Sequence, residues 1–89
     1  MDAQRWARAE GAVATEVDGA LVVLSPGMEF FSLNTTAATV WEALAEPRDR
    51  AELVAALVSD YDVDPGAAGE ALDRLLDTLT AQGAITALG

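Results

Sequence analysis

The sequence has no cysteine, no histidine and no lysine among its 89 residues. Without cysteine there is neither a disulfide nor a thiolate nucleophile. Without histidine there is no imidazole base, and the usual nitrogen and sulfur ligands for zinc, copper or iron are missing. Most routes to catalysis are thereby closed, and no cofactor is expected. No apolar run approaches the roughly 20 residues that a membrane span needs. The opening stretch MDAQRWARAE has no hydrophobic signal core, so a cytoplasmic protein without a membrane partner is expected. Basic residues are scarce, five arginines against 15 carboxylates, for a net charge of −10. Such a chain repels the phosphate backbone whose neutralisation supplies most nucleic-acid affinity, so no nucleic-acid partner is expected. The acidity itself serves solubility, with attraction of a basic partner as the alternative.

Alanine, valine and leucine dominate the 52% hydrophobic fraction, which is enough for one packed core. A chain of this length is a single domain that removes about 60 to 65% of its unfolded surface from water. Residues 1–11 are polar, carry Arg5 and Arg8, and read as a flexible N-terminal arm with Trp6 as its anchor. The domain proper is 12–89. From Ala12 to Leu33 the pattern is of three strands, Ala12 to Val17, Ala20 to Leu24 and Met28 to Leu33. Asp18-Gly19 suits a two-residue hairpin turn, and Ser25-Pro26-Gly27 makes the second turn. An antiparallel meander results, its third strand at an edge.

Three helices follow. Asn34 can cap the first, in which Val40, Trp41 and Leu44 recur at helical spacing until Pro47. Asp49 and Glu52 have the spacing of a capping box, and Leu53, Val54, Leu57, Val58 and Tyr61 fall on one face of the second helix. Asp64-Pro65 opens the third, which runs to about Gln82 with Gly83 as its C-terminal cap and Ile85 tucked back on the domain. Its apolar stripe is Ala68, Ala71, Leu72, Leu75, Leu76 and Leu79. Strands followed by helices give an α+β fold, a three-stranded antiparallel sheet and then three helices, layered on one sheet face.

Candidate chemistry is thin. Asp60, Asp62 and Asp64 alternate like the start of a calcium loop. That motif needs glycine at its sixth position and glutamate at its twelfth, and Pro65 and Ala71 stand there, so no metal is assigned. Helix ending and N-capping account for these aspartates. Ser25, Ser32 and Ser59 have no histidine to activate them. What remains is the aromatic strand. Phe31 and Leu33 alternate onto one face with Glu29, and Phe30 onto the other with Met28 and Ser32. Phe31 and Leu33 are expected in the core, and Phe30 half-exposed opposite the second strand. As an edge guarded only by Glu29, this strand can accept an extended peptide as a further strand, with helix three as the second wall of the groove.

Val17-Asp18-Gly19, Phe30-Phe31-Ser32-Leu33-Asn34, Val40-Trp41-Glu42-Ala43-Leu44 and Leu79 ahead of Gln82-Gly83-Ala84-Ile85 occur in the order found in PqqD-like proteins. The chain resembles that family from about Ala12 to Ile85, with the spacing of free-standing members from lasso-peptide and other modified-peptide pathways. The resemblance implies a winged helix-turn-helix-like domain, without catalysis of its own. Its implied partners are the leader segment of a ribosomal precursor peptide and a maturation enzyme, whether protease, cyclase or radical enzyme. It also implies that the leader adds to the third strand against the third helix. By position this puts Glu29, Phe30, Phe31, Ser32 and Leu33 on one wall, and Leu72, Leu75, Leu76 and Leu79 on or beneath the other. Ala71 and Leu75 depart from many relatives, which carry an acidic and an aromatic or bulky residue there. Arg74 is a candidate contact for a leader carboxylate, with an i,i+4 pair to Glu70 as its alternative. Two other functions fit the fold: a winged-helix DNA-binding regulator, which the charge opposes, and a structural subunit of a larger enzyme complex.

Overall fold

A computed structural model describes residues 4–88. Along the chain run β1 (Arg5–Arg8), β2 (Val13–Val17), β3 (Ala20–Leu24), β4 (Phe30–Leu33), α1 (Thr35–Ala43), β5 (Arg48–Asp49), α2 (Arg50–Tyr61), α3 (Pro65–Ala81) and β6 (Ile85–Leu88). The expected three-stranded antiparallel sheet is present in the order β2-β3-β4, and a second three-stranded sheet, β5-β1-β6, stands beside it.

The first sheet is built by its turns. Val17 pairs with Ala20 across Asp18 and Gly19, whose φ values of 51° and 82° are those of a type I′ turn, the hairpin form whose twist matches its strands. The second connection is a three-residue loop. The Ser25 N–H donates to the Glu29 carbonyl and the Met28 N–H to the Ser25 carbonyl, both at 2.9 Å, and the buried Ser25 hydroxyl accepts from the Glu29 N–H at 3.3 Å. Met28 takes the left-handed position that closes such a loop, at φ 68°, where glycine or asparagine is usual. The third strand therefore begins at Phe30 rather than at Met28, because a left-handed residue ends the pleat.

Residues 1–11 were expected to form a flexible arm, and for Arg5–Arg8 the structure corrects this. Those four residues pair antiparallel with β6, from Arg5 opposite Leu88 to Arg8 opposite Ile85, and on their other side with β5. Trp6 packs against the core. The Arg8 guanidinium lies 4.6 Å from the centroid of the Trp41 ring and donates to the Trp41 carbonyl at 2.7 and 3.1 Å. That carbonyl is in the last turn of α1, where a cation also complements the helix dipole. The arm is thus held by a cation over a buried indole and by a ladder to a strand some eighty residues away. Residues 1–3 of the expected arm lie outside the described residues.

The helices end and begin where their caps require. The Asn34 side chain accepts from the Ala37 N–H at 2.8 Å, and Asp49 and Glu52 complete a reciprocal capping box. Asp64 accepts from Gly66 and Ala67 ahead of α3. At the far end of α3, Gly83 at φ 76° allows the Ala84 N–H to reach the Leu79 carbonyl and the Gly83 N–H to reach Thr80, a Schellman ending that turns the chain into β6. The core lies between the helices and the inner faces of both sheets. Trp41, Leu44, Leu53, Leu57, Leu72 and Leu79 are its largest fully buried side chains, joined by Val23 and Leu33 from the first sheet and Ile85 from the second.

One ion pair ties α2 to α3. Arg50 donates to both carboxylate oxygens of Asp73, at 2.8 and 3.1 Å, and its guanidinium lies over Gly69. A Cβ at position 69 would stand 2.5 Å from the Arg50 Nη2, the far end of a flexible, half-exposed side chain that would have to shift aside. The hydrogen bond from Arg50, with its charge, holds the Asp73 carboxyl below its usual range against a smaller opposing effect of desolvation.

Replacing Arg8 with Ala is expected to cost about 2 kcal/mol by urea denaturation, since it removes two charged hydrogen bonds and the contact with Trp41. Lysine should not restore it, for want of a planar fork. Asp73 makes a pH-dependent contribution. Its folded-state value is depressed, so the stabilisation is complete above its unfolded value of about 3.9 and fades as pH falls through the folded one. The difference in urea midpoint between the native chain and Asp73→Asn should therefore be constant from about pH 7 to 5 and shrink on the way to about pH 2.

Candidate functional site

Each strand residue directs its N–H and C=O to the same side of the strand, and neighbours along the strand alternate. Ala20, Val22 and Leu24 of β3 serve β2, because Val17–Ala20 closes the hairpin as a hydrogen-bonded pair. Leu21 and Val23 then serve β4, through Leu33 and Phe31, in step with the Ser25–Glu29 bond at the loop. Phe30 and Ser32 are left with their backbone groups directed away from the sheet. Because β4 is the last strand in its order, these two residues form a free edge.

The side chains of β4 alternate in the perpendicular sense. Leu33 is buried and Phe31 is half-buried against the core, as expected for the inner face. Phe30 stands opposite Leu24, the cross-strand position expected, and is more exposed than the half-exposure foreseen, at 72%. Ser32 is exposed on the same side, and Glu29 is exposed in the loop that leads into the strand.

Beyond the end of β4 the chain enters α1, and there it faces α3. Ala71, Arg74 and Leu75 line a cleft whose other wall is Asn34, Thr36 and Ala37. Leu75 is half-buried, packed on the core yet reachable. The other three leucines expected on or beneath this wall lie beneath it: Leu72, Leu76 and Leu79 are at most 4% exposed. Their stripe is the one α3 presents to the core, so they support the wall from beneath and have no surface to offer. The residues flanking that stripe make the wall instead. Arg74 is exposed, and among the described residues it forms no ion pair with Glu70, so the expected i,i+4 pair is absent. Its guanidinium lines the cleft without a carboxylate partner among the described residues.

Sequence reasoning did not single out Asn34, Thr36 and Ala37 as a wall. Asn34 had been given a cap's role, which it fills, and nothing in a helix's first turn announces that it borders a cleft. The alternating aspartates serve the chain's turns: Asp62 ends α2 in the left-handed conformation at φ 50° and Asp64 caps α3. The exposed face of α3 carries Glu70, Asp73 and Asp77 along with Arg74. A duplex-reading helix has the opposite balance of charge. No described helix is long and apolar enough to cross a membrane.

Sheet, helices and wing-like β2–β3 hairpin define a winged-helix-like α+β domain with an open, groove-flanked strand edge. Within that class the chain belongs to the PqqD family: the model of the family described as coenzyme PQQ synthesis protein D matches residues 20–85. No curated protein matches the chain. Among solved structures, TbiB1 in complex with the TbiA(beta) leader peptide superposes with a TM-score of 0.79 at 22% identity, covering 89% of this chain and 93% of that one. Lasso peptide synthetase B1 complexed with a leader peptide gives 0.78 at 23% identity over 91% and 96% of the two chains. The solution structure of the PqqD truncation of Methylobacterium extorquens PqqCD, a stand-alone RiPP recognition element, gives 0.77 at 18% identity over 92% and 88%.

Wall and support are separable by mutation. Leu72→Ala should cost about 2 to 5 kcal/mol in a urea titration, as for a fully buried leucine. Leu75→Ala should cost no more than about 1.5 kcal/mol, since part of its surface is already wet.

Proposed function

We propose that this chain is a leader-peptide-binding adaptor: it captures the leader of a ribosomally made precursor by strand addition to β4 and presents it to a maturation enzyme. The observation that carries this reading is the unpaired β4 edge beside the cleft of α3, with Phe30 and Ser32 directed outward. Its two most similar structures named above are complexes with leader peptides. The domain is not itself an enzyme in this reading and needs no cofactor. It acts in the cytoplasm, where precursors are made.

The energetics suit a reversible adaptor. Phe30 and Ser32 offer four backbone groups, each bond contributing a net ~0.5 to 1.5 kcal/mol, and two or three buried apolar anchors contribute ~1.5 to 3 kcal/mol apiece. Ordering the leader takes back ~2 to 5 kcal/mol and association takes more, which leaves micromolar or somewhat tighter binding. Backbone bonds read no sequence, so choice among leaders falls to the side chains. Phe31, together with Ala71 and Leu75 of the α3 wall, receives the leader's inward apolar residues. Arg74 pairs with a leader carboxylate. Glu29 and Leu33 bound the strand at its two ends.

Ser32→Pro tests the strand directly. The ring removes one outward N–H and leaves both bonded pairs to β3, so the fold survives by circular dichroism. Affinity for labelled leader peptide from the precursor gene beside this one should fall at least about tenfold, the equivalent of one lost bond plus a blocked approach. If the native chain shows no saturable binding to any leader encoded beside it, the reading is wrong.

A further inference from the structure

The helices cover one face of the β2-β3-β4 sheet, and the other face is open. The register places Val13 and Val17 of β2, Leu24 of β3 and Phe30 of β4 on that open side, with Thr15 and Ser32 between them. Among the described residues of the three strands no charged side chain falls on it, although 22% of the chain is charged. Val13 is 57% exposed, Val17 50% and Phe30 72%, so three of the chain's most exposed large apolar side chains share one surface. A solvated sheet face is ordinarily mostly polar, and on this one Thr15 and Ser32 are outnumbered by apolar side chains. Its surroundings are acidic: Asp18 at the hairpin tip, Glu29 at the opposite end and Glu16 on the reverse of β2 are all exposed.

We propose that this open, uncharged sheet face is the docking surface for the maturation enzyme, which meets it with an apolar patch bordered by basic side chains. The inference rests on the adaptor reading, to which it adds the second partner's site. A second copy of the chain fits poorly. Each copy carries a net charge of −10 and the same acidic border. A bound leader widens the face by one strand, roughly 80 Å². A strand added at Phe30 and Ser32 continues the sheet, and its alternate side chains join the same plane. The enzyme then touches domain and leader at once, and by linkage each strengthens the binding of the other.

The test uses Val13→Lys with Val17→Lys, two changes on the strand farthest from β4. Lysine is a natural resident of exposed edge strands, so the fold should hold by circular dichroism. The probes are labelled leader peptide and the purified maturation enzyme, each encoded beside this chain's gene. The double variant should bind leader within about twofold of the native chain and bind enzyme at least about tenfold more weakly, by lost apolar contact and added repulsion. Leader should tighten native enzyme binding. Unchanged enzyme affinity in the variant overturns the proposal, as does a native chain that binds no such enzyme. Native self-association in sedimentation that the variant abolishes overturns it too, by assigning the face to a dimer. A native chain that binds enzyme but no leader sinks the adaptor reading instead.

Discussion

A strand residue must send its amide hydrogen and its carbonyl to the same neighbour, and the site depends on how β3 divides that obligation. Ala20, Val22 and Leu24 are committed to β2, Leu21 and Val23 to β4, and nothing is left over. Phe31 and Leu33 take what β3 offers, so Phe30 and Ser32 have no strand partner among the described residues. The core does not need that edge filled: Leu33 and Val23 are buried while it stands open. The domain can therefore hold its shape whether or not a strand is added.

The walls on either side of the edge are fixed independently of any ligand. Arg8 clamps the end of α1 through Trp41, and α1 starts from the Asn34 cap that directly follows β4. The position of α3 is set at its middle by Arg50 on Asp73 and at its C-terminal end by the Schellman turn into β6. A cleft held from both sides is pre-ordered, and pre-ordering of this kind is where affinity for a ligand is gained without new contacts.

Most of this was legible in the sequence because its determinants are local. Asp18-Gly19, Asn34, the Asp49 and Glu52 box, Asp64-Pro65 and Gly83 act on chain neighbours, and each does in three dimensions what its chemistry suggested. The edge position of the Phe30 strand followed from the same turns. The second sheet was not legible, since Arg5–Arg8 has no alternation and no β-branched residue. Its partner is at the other end of the chain, and its anchor is a tryptophan in a helix. Met28 was misplaced for a related reason: its left-handed backbone is imposed by the Ser25 hydrogen bonds, not by a preference of methionine. In α3 the apolar stripe was read correctly, but a stripe does not reveal which members border a cleft. Leu75 does, while Leu72, Leu76 and Leu79 face the core.

The pairing of β1 with β6 has an architectural consequence. Arg5 stands opposite Leu88 in an antiparallel ladder, so the described chain enters and leaves the domain at adjacent points. Both points lie in the second sheet, away from the free strand of the first. A unit with side-by-side entry and exit can be spliced into a surface loop of another protein, or its ends joined and reopened elsewhere, with little strain. Evolution and engineering can thus relocate the open β4 edge as a cassette, leaving its hydrogen-bond frame untouched.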